Sequence, residues 1–462
     1  MKHSVIKKLS AIYNNQKIGD VVFDDNGSDI KISFEYDSAW IKSDNNFPLS
    51  PTIGFNGNYT CDQVKNFFRN ILPEGENLDE LSRELQVSKY DVFDLLKKIG
   101  IDLTAAFSLL DENNKYSDLK EGEDGISDFL IDRETLSNKL RDRNYKSFGS
   151  WNGKLRISMA GFQEKIGVKI VGNQMYLPDG IGNHSSHILK PAPQNKLLKS
   201  MISNEAYCME LSRKIGLDTA NTEIFYTPEP VLLIERFDRK FIAQENVYEK
   251  LHQIDGVQLL DLPPRFRMER PFGNGGDVKD IRDGASLPKL AEAIKKHSSN
   301  PILDKYKFSN WIVFQLCIGN TDAHAKNISF SVNKNGKISI QPFYDQVSTI
   351  MYEDDKIDST LSMAIDDTFN LYEVSALDLA CMAYFCEIPL SVLKSSISDI
   401  SSSIIGAIHE NNFDTKDDFE IKDALFSKIE YLTKRLVDIS GPGYNDLKGC
   451  YQLVQNENDF IP

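Results

Sequence analysis

Short runs that alternate apolar and polar residues open the chain. GDVVFDD and DIKISFEY, set apart by Asn, Asp and Gly, carry the two-residue period of half-buried strands. From Cys61 the spacing becomes helical: DQVKNFFRNIL, then LDELSRELQV, then KYDVFDLLKKIG. The last two would suit a helix-turn-helix, but they are acidic and lack an Arg/Lys-rich recognition face, so they read as packing helices. Residues 1–110 are expected to form a small N-terminal α/β subdomain. Residues 111–153, which begin DENNKYSDLKEGEDGISD, read as a charged linker with some peripheral helix.

Strand character returns at Leu155. KLRISMAGFQEKIGVKIVGNQMYLPDG predicts two or three strands, broken by Gly161 and by Gly172 and Asn173. SHILK, a helix over SNEAYCMELSRKIGLD and the strands of TEIFYTPEPVLLIERFDRK follow, with Ser203 as the expected N-cap and Gly216 past the helix end. Residues 154–245 are thus one strand-rich lobe. Residues 246–462 are mainly helical, and FSNWIVFQLCIGN is apolar on nearly every face, as a helix buried within a layer must be. One hairpin interrupts them, ISFSVNKNGKISIQPF, with Asn335 and Gly336 as a two-residue turn. The fold class is α+β.

Composition narrows the partners. With 53 Lys+Arg against 68 Asp+Glu, the net charge of −15 argues against a surface built to clamp nucleic-acid phosphates. Hydrophobic residues at 41% can build a sizeable core, and 462 residues suggest two or three domains. The six cysteines are scattered without a CxxC pair, mostly in apolar runs, which suits a reduced intracellular protein. No apolar stretch suits a signal peptide or a membrane span, so a cytoplasmic protein without membrane association is expected.

The densest chemistry lies in GNTDAHAKNISFSVNKNGKISIQPFYD. If the hairpin brings its ends together, Asp322, Asn327 and Asp345 meet on one side. Phosphoryl transfer needs a carboxylate to deprotonate or orient a hydroxyl, and a carboxylate with an amide oxygen to hold Mg²⁺ against phosphates. The competing reading is that Asp322 and Asn327 merely cap a turn. Upstream, SHILK ends a strand in Lys190, ahead of a helix whose Glu205, or failing that Glu210, could orient it by an ion pair; a solvated lysine is the plain alternative. SMAGFQEK could lay backbone N–H groups over phosphates, and VLLIERF could end in an adenine-binding hinge. His184 and His187 lack a third metal ligand, and Cys381 and Cys386 read as core. FGNGGDVKD reads as a loop near the site, and no GxSxG motif anchors a hydrolase.

Together RNILPEGE, RISMAGFQEK, HILKP, NEAYCMELSRKIGL, LLIERFDRK, GNTDAHAKN and PFYD resemble the HipA-like serine/threonine kinases, toxin halves of bacterial toxin–antitoxin pairs. The resemblance implies a protein-kinase-like two-lobed fold after the N-terminal subdomain, with ATP and Mg²⁺ as cofactors. It makes Asp322 the catalytic base, Asn327 and Asp345 the Mg²⁺ ligands and Lys190 the phosphate-binding lysine. Ala160, Gly161, Phe162, Gln163, Glu164 and Lys165 match the phosphate loop, and Glu235, Arg236 and Phe237 the hinge. His324, Ala325, Lys326 and Asn327, with Tyr344, Asp345, Gln346 and Val347, match the remaining nucleotide contacts. Ser158 matches a serine that such kinases autophosphorylate, with ejection of the phosphate loop and loss of activity; a doubly negative group there would repel ATP phosphates. LHQIDGVQ departs from the family by carrying Ile254 between Gln253 and Asp255, and IGIDLTAAF lacks the usual small residues or cysteine. The implied partners are a protein substrate, glutamyl-tRNA synthetase in a relative, and a HipB-like helix-turn-helix antitoxin through which any DNA contact would run. Two other functions fit the same residues: a small-molecule phosphotransferase, and a non-catalytic module assembling antitoxin on its operator.

Overall fold

Alternation near the N-terminus produces an antiparallel sheet, ordered Ile30–Tyr36, Gln16–Asp25, Val5–Tyr13, Ser108–Leu110. Its inward residues Leu9, Ala11, Val21, Phe23, Ile32 and Phe34 are buried. Helix Cys61–Ile71 covers them with Val64, Phe67, Phe68 and Ile71, and starts in a capping box between Thr60 and Gln63. The computed structural model describes residues 5–26, 30–101, 103–111, 128–152, 154–156, 163–178, 183–198, 200–243, 247–355, 360–416, 419–441 and 447–458.

A second antiparallel sheet has six strands in the order Thr222–Tyr226, Pro230–Glu235, His187–Pro191, Ile166–Val171, Gln174–Leu177, Phe129–Ile131. The last strand comes from the segment expected to be a peripheral linker. Within that segment Leu136, Leu140, Phe148 and Trp151 also join the sheet's core, so from Phe129 onward it belongs to this lobe. Its charged residues hid a three-residue apolar strand and an amphipathic helix, Arg133–Arg141, capped by Asp132.

Helix Met201–Lys214 packs on one face of the sheet and is buried from Ile202 to Ser212. Ser203 is therefore not its N-cap. The helix starts earlier, after Ser200, because Ile202 must reach the apolar cluster of Leu232 and Ile234. Gly216 does follow the helix end, at φ +84.

The remaining lobe is a stack of helices: Leu287–His297, Pro301–Ile318, Ala376–Phe385, Leu390–Glu410, Phe419–Ser440 and Leu447–Asn458. Residues 308–318 are all buried, as their uniform apolarity required. Gly319 ends that helix at φ +67, where a Cβ would lie 2.7 Å from Ile350, so only glycine fits. Beside the stack, Gln253–Asp255, Ser329–Val332 and Ile338–Ile340 form a small antiparallel sheet. Its hairpin closes with a bond from Asn333 N to Lys337 O (2.9 Å), around residues 334–336. The expected two-residue turn is thus a three-residue loop in which only Gly336 is left-handed, at φ +70. No helix among the described residues is long and apolar enough to cross a membrane.

The N-terminal subdomain shares its apolar core with the helical lobe, whereas the six-stranded sheet has its own. His252 sits at the shared boundary, stacked on Phe47 (4.4 Å between ring centroids) and donating from Nε2 to Leu49 O (2.9 Å). Burial depresses its pKa to about 4. An unfolded chain would bind a proton here near pH 6.5 and the folded one resists it, so stability is full above that pH and lost as the pH falls toward 4. At about pH 5 the loss is about 2 kcal/mol. Denaturant titrations at about pH 7.5 and about pH 5 should show a smaller stability difference for His252→Phe by that amount. An unchanged difference would refute the assignment.

Candidate active site

In strand His187–Pro191, Ile188 and Lys190 share the face turned toward helix Met201–Lys214, by strand alternation. The Lys190 side chain is 6% exposed, and its Nζ donates to Glu205 Oε2 (2.7 Å) and Asp345 Oδ1 (2.6 Å). Burial alone would lower the lysine's pKa; the two carboxylates reverse that and hold it above the usual lysine range. Glu210, the other candidate, points elsewhere and accepts the backbone N–H groups of Asp414 (2.6 Å) and Thr415 (2.9 Å). Five residues on a helix turn it away from Glu205.

Asp345 follows the small sheet with φ +55, a left-handed conformation that Asp adopts more readily than most residues. Burial would raise its pKa, but Lys190 and Lys165 hold it well below the carboxylate range. The next turn is clamped twice. Asn204 accepts from Ser348 N (2.9 Å) and donates to Ser348 O (2.9 Å), while the Thr349 hydroxyl accepts from Thr321 N (2.8 Å).

Thr321 begins the segment that leads to Asn327. Asn320 Oδ1 accepts from Asp322 N (3.2 Å), and Asn327 Nδ2 donates to Asp322 O (3.1 Å). These bonds combine the turn-capping reading with a site, because the Asp322 carboxylate itself faces the cleft. Crowding by the cleft walls, then the Asp345 charge, push its pKa up to about 6 against the pull of Arg267 and Lys190. His324 is buried, its Nδ1 without a hydrogen bond among the described residues, and burial pushes its pKa down to about 3. Its ring is therefore neutral near neutral pH.

These groups line one cleft of about 360 Å³ between the sheet lobe and the helical lobe. Lys165 reaches it without a hydrogen bond or ion pair among the described residues, and burial lowers its pKa. Gln163 also lines it, donating to Pro191 O (3.1 Å). Glu164 does not, and pairs with Arg143 (3.3 Å). Ser158, Ala160, Gly161 and Phe162 lie outside the described residues. At the other end Phe237 leans on Tyr344 (5.7 Å between centroids) near Ile188, Ile234 and Val347, an apolar recess flanked by Glu235. The Arg236 guanidinium is committed to Asp238 (2.8 and 2.6 Å), so its side chain serves the lobe. Ala325 is buried against Gly256, where a Cβ would meet Ala325 O at 2.5 Å, and does not line the cleft. Gln346 does not line it either: it is fully buried, with neither amide atom hydrogen-bonded among the described residues. Lys326 lines it, but its ammonium is tied to Asp255 (2.8 Å) and Asn70 (3.0 Å).

Two residues without an assigned sequence role, Glu74 and Arg267, also line the cleft, paired at 3.0 Å. Glu74 falls in RNILPEGE, a segment noted for its resemblance alone; nothing in the pattern around Arg267 marks it. Among the described residues no three His, Cys, Asp or Glu side chains gather around a metal position. Mg²⁺ in phosphoryl transfer needs fewer protein ligands, because phosphates and water complete its shell. Asp345, kept ionised, and Asn327, whose engaged Nδ2 leaves Oδ1 available, fit that requirement.

Comparison with known proteins identifies the family and the overall fold. Residues 157–408 match the model of the HipA-like C-terminal domain, and residues 9–110 that of the HipA N-terminal domain. The serine/threonine-protein kinase toxin HipA of Shewanella oneidensis is 34% identical, over 85% of this chain and 86% of that protein. A putative kinase of Sinorhizobium fredii, Y4mE, is 27% identical over 89% of this chain and 93% of its own. The structure of Shewanella oneidensis HipA, solved with HipB and operator DNA, superposes with a TM-score of 0.80 at 29% identity, covering 96% of this chain and 99% of that one. With both family models, a kinase relative along most of its length and the two-lobed fold in agreement, the chain belongs to the HipA-like serine/threonine kinases.

Proposed function

We propose that this kinase uses ATP and Mg²⁺ to phosphorylate serine or threonine on a protein of its own cell, as a toxin restrained by a HipB-like antitoxin. One observation carries the reading: a buried lysine held between Glu205 and Asp345, in a cleft whose other wall presents Asp322 and Asn327.

The roles follow from charge and reach. Lys190, kept cationic, meets the α- and β-phosphates, and Lys165 adds a second charge from the sheet side. The apolar recess of Ile188, Ile234, Phe237 and Val347 takes the adenine. Asp322 accepts the proton of the attacking hydroxyl; a pKa of about 6 leaves it ionised near neutral pH yet more basic than an ordinary aspartate. Asp345 and Asn327 hold Mg²⁺, which when bound neutralises charge on the phosphate oxygens. Ser158, seven residues before Lys165 in the chain, is the autophosphorylation site in this reading.

The partner assignment rests on the Shewanella protein, which was solved with HipB and DNA. A chain with net charge −15 suits a basic antitoxin better than it suits DNA, so contact with DNA would run through that antitoxin. Glutamyl-tRNA synthetase, the substrate suggested by the family resemblance, is the first protein to test.

Incubation with ATP, Mg²⁺ and a cell lysate should label protein serine or threonine. Asp322→Ala and Asp345→Ala should lose about 100-fold or more of that labelling. Equal labelling by all three proteins would remove the kinase assignment. Mass spectrometry of wild type after ATP should find phosphate on Ser158, absent from Asp322→Ala. Phosphorylation of sugars or antibiotics with an unmodified Ser158 would favour a small-molecule phosphotransferase instead.

A further inference from the structure

RNILPEGE, residues 69–76, belongs to the N-terminal subdomain, yet its Asn70 and Glu74 are buried against the catalytic segment. Helix Cys61–Ile71 ends just before Pro73, and Gly75, at φ +54, turns the chain into helix Gly75–Leu85. A left-handed residue here is tolerated because it is glycine. Glu74, 7% exposed, lies at that turn and faces two cations of the helical lobe: Arg267 (3.0 Å from Oε2) and Lys326 (3.5 Å from Oε1).

Lys326 is held on three sides. Its Nζ donates to Asn70 O (3.1 Å), Asn70 Oδ1 (3.0 Å) and Asp255 Oδ2 (2.8 Å). The Asn70 amide nitrogen in turn donates to Leu262 O (2.8 Å) and Asn66 O (2.9 Å), so the residue is fully engaged. An ammonium so enclosed does not swing out to a phosphate; it pins its own backbone. That backbone carries Asn327 next in the chain, and Lys326 O accepts the hydroxyl of Tyr344 (2.5 Å), the residue before Asp345. Arg267 lines the cleft close enough to Asp322 for its charge to act on that carboxylate.

We infer that Asn70 and Glu74 are positioning residues for phosphoryl transfer, acting through Lys326 on the backbone of Asn327 and on the hydroxyl of Tyr344, and through Arg267 on the wall beside Asp322. The N-terminal subdomain is then a working part of the catalytic cleft. The inference rests on the kinase reading of that cleft. Loss of the Glu74 charge would leave two cations in a low-dielectric site with less compensation, free to settle elsewhere. A displacement of about 1 Å in a catalytic group can cost about 100-fold in rate.

The test compares full-length wild type with Glu74→Gln, Asn70→Ala, Asp322→Ala and Glu76→Gln, the last an exposed carboxylate two residues along. Turnover of ATP, ATP affinity by calorimetry and thermal midpoint are read for each. Glu74→Gln and Asn70→Ala should lower kcat about 10- to 100-fold with ATP affinity near wild type, read at a temperature where each variant, whose midpoint falls with its lost buried contacts, is still fully folded. Glu76→Gln should match wild type throughout. Full activity in both Glu74→Gln and Asn70→Ala would overturn the inference. So would rate losses matched by equal losses of ATP affinity, or losses seen only at temperatures where the variant is unfolding, because a merely structural role predicts those. If instead wild type is no more active than Asp322→Ala, the kinase reading itself fails and the inference falls with it.

Discussion

Lys190, Glu205 and Asp345 come from a strand, a helix and the turn after a hairpin, and their charges meet at one point. Lys190 or Glu205, taken alone into that interior, would cost several kcal/mol in lost hydration, whereas Asp345, 39% exposed at the cleft, keeps part of its water. Held together, they offset one another, so the sheet, the helix and the turn cannot move independently without exposing an unpaired charge. Helix Met201–Lys214 adds to this constraint from the residue beside Glu205. Asn204 grips both backbone groups of Ser348 and so holds the left-handed Asp345 turn in place. One helix therefore sets both the orientation of the lysine and the position of the carboxylate it meets.

Apolar burial divides the molecule differently. The N-terminal subdomain and the helical lobe share one core, which helix Met201–Lys214 joins through Tyr207, Cys208 and Leu211, and the six-stranded sheet has a smaller apolar cluster on each face. Close packing within each core keeps the cleft walls rigid within themselves, as a binding site requires. Polar contacts then tie the N-terminal subdomain to residues 255–267: Asp261 alone accepts from Thr52 (2.6 Å) and Gln63 (2.8 Å). Asp255 serves twice, capping helix Gly256–Leu259 through Gln258 N (2.8 Å) and holding Lys326 (2.8 Å). Ile254, the departure from the family pattern, is simply buried in the shared core.

Much of this was legible from residue pattern. The buried helix ending at Ile318, the strand carrying Lys190 and the hairpin between Asn327 and Asp345 are written in periods of 3.6 and 2 and in Gly and Asn at turns. Those signals are local, and they failed where a local cue was ambiguous. Ser203 is an apt cap by type, but burial of Ile202 moved the helix start to Ser200. Asn335 and Gly336 suit a two-residue turn, yet the register of the flanking strands left three residues in the loop. The charged stretch before Phe129 obscured the short apolar strand that follows it.

The order of charged and turn-forming residues along the chain determined which chemistry was available: a lysine, then D-x4-N, then an aspartate after a hairpin. Tertiary structure decided which of them meet. It chose Glu205 over Glu210, because only one helical face turns toward the sheet. It committed the side chains of Lys326 and Arg236, both at the cleft, to carboxylates of the protein itself, and it carried Glu74 across from another subdomain. Sequence spacing encodes direction along a helix or strand, whereas ion pairing depends on distances of a few ångströms across chain separations of up to 252 residues between Glu74 and Lys326, which packing alone sets.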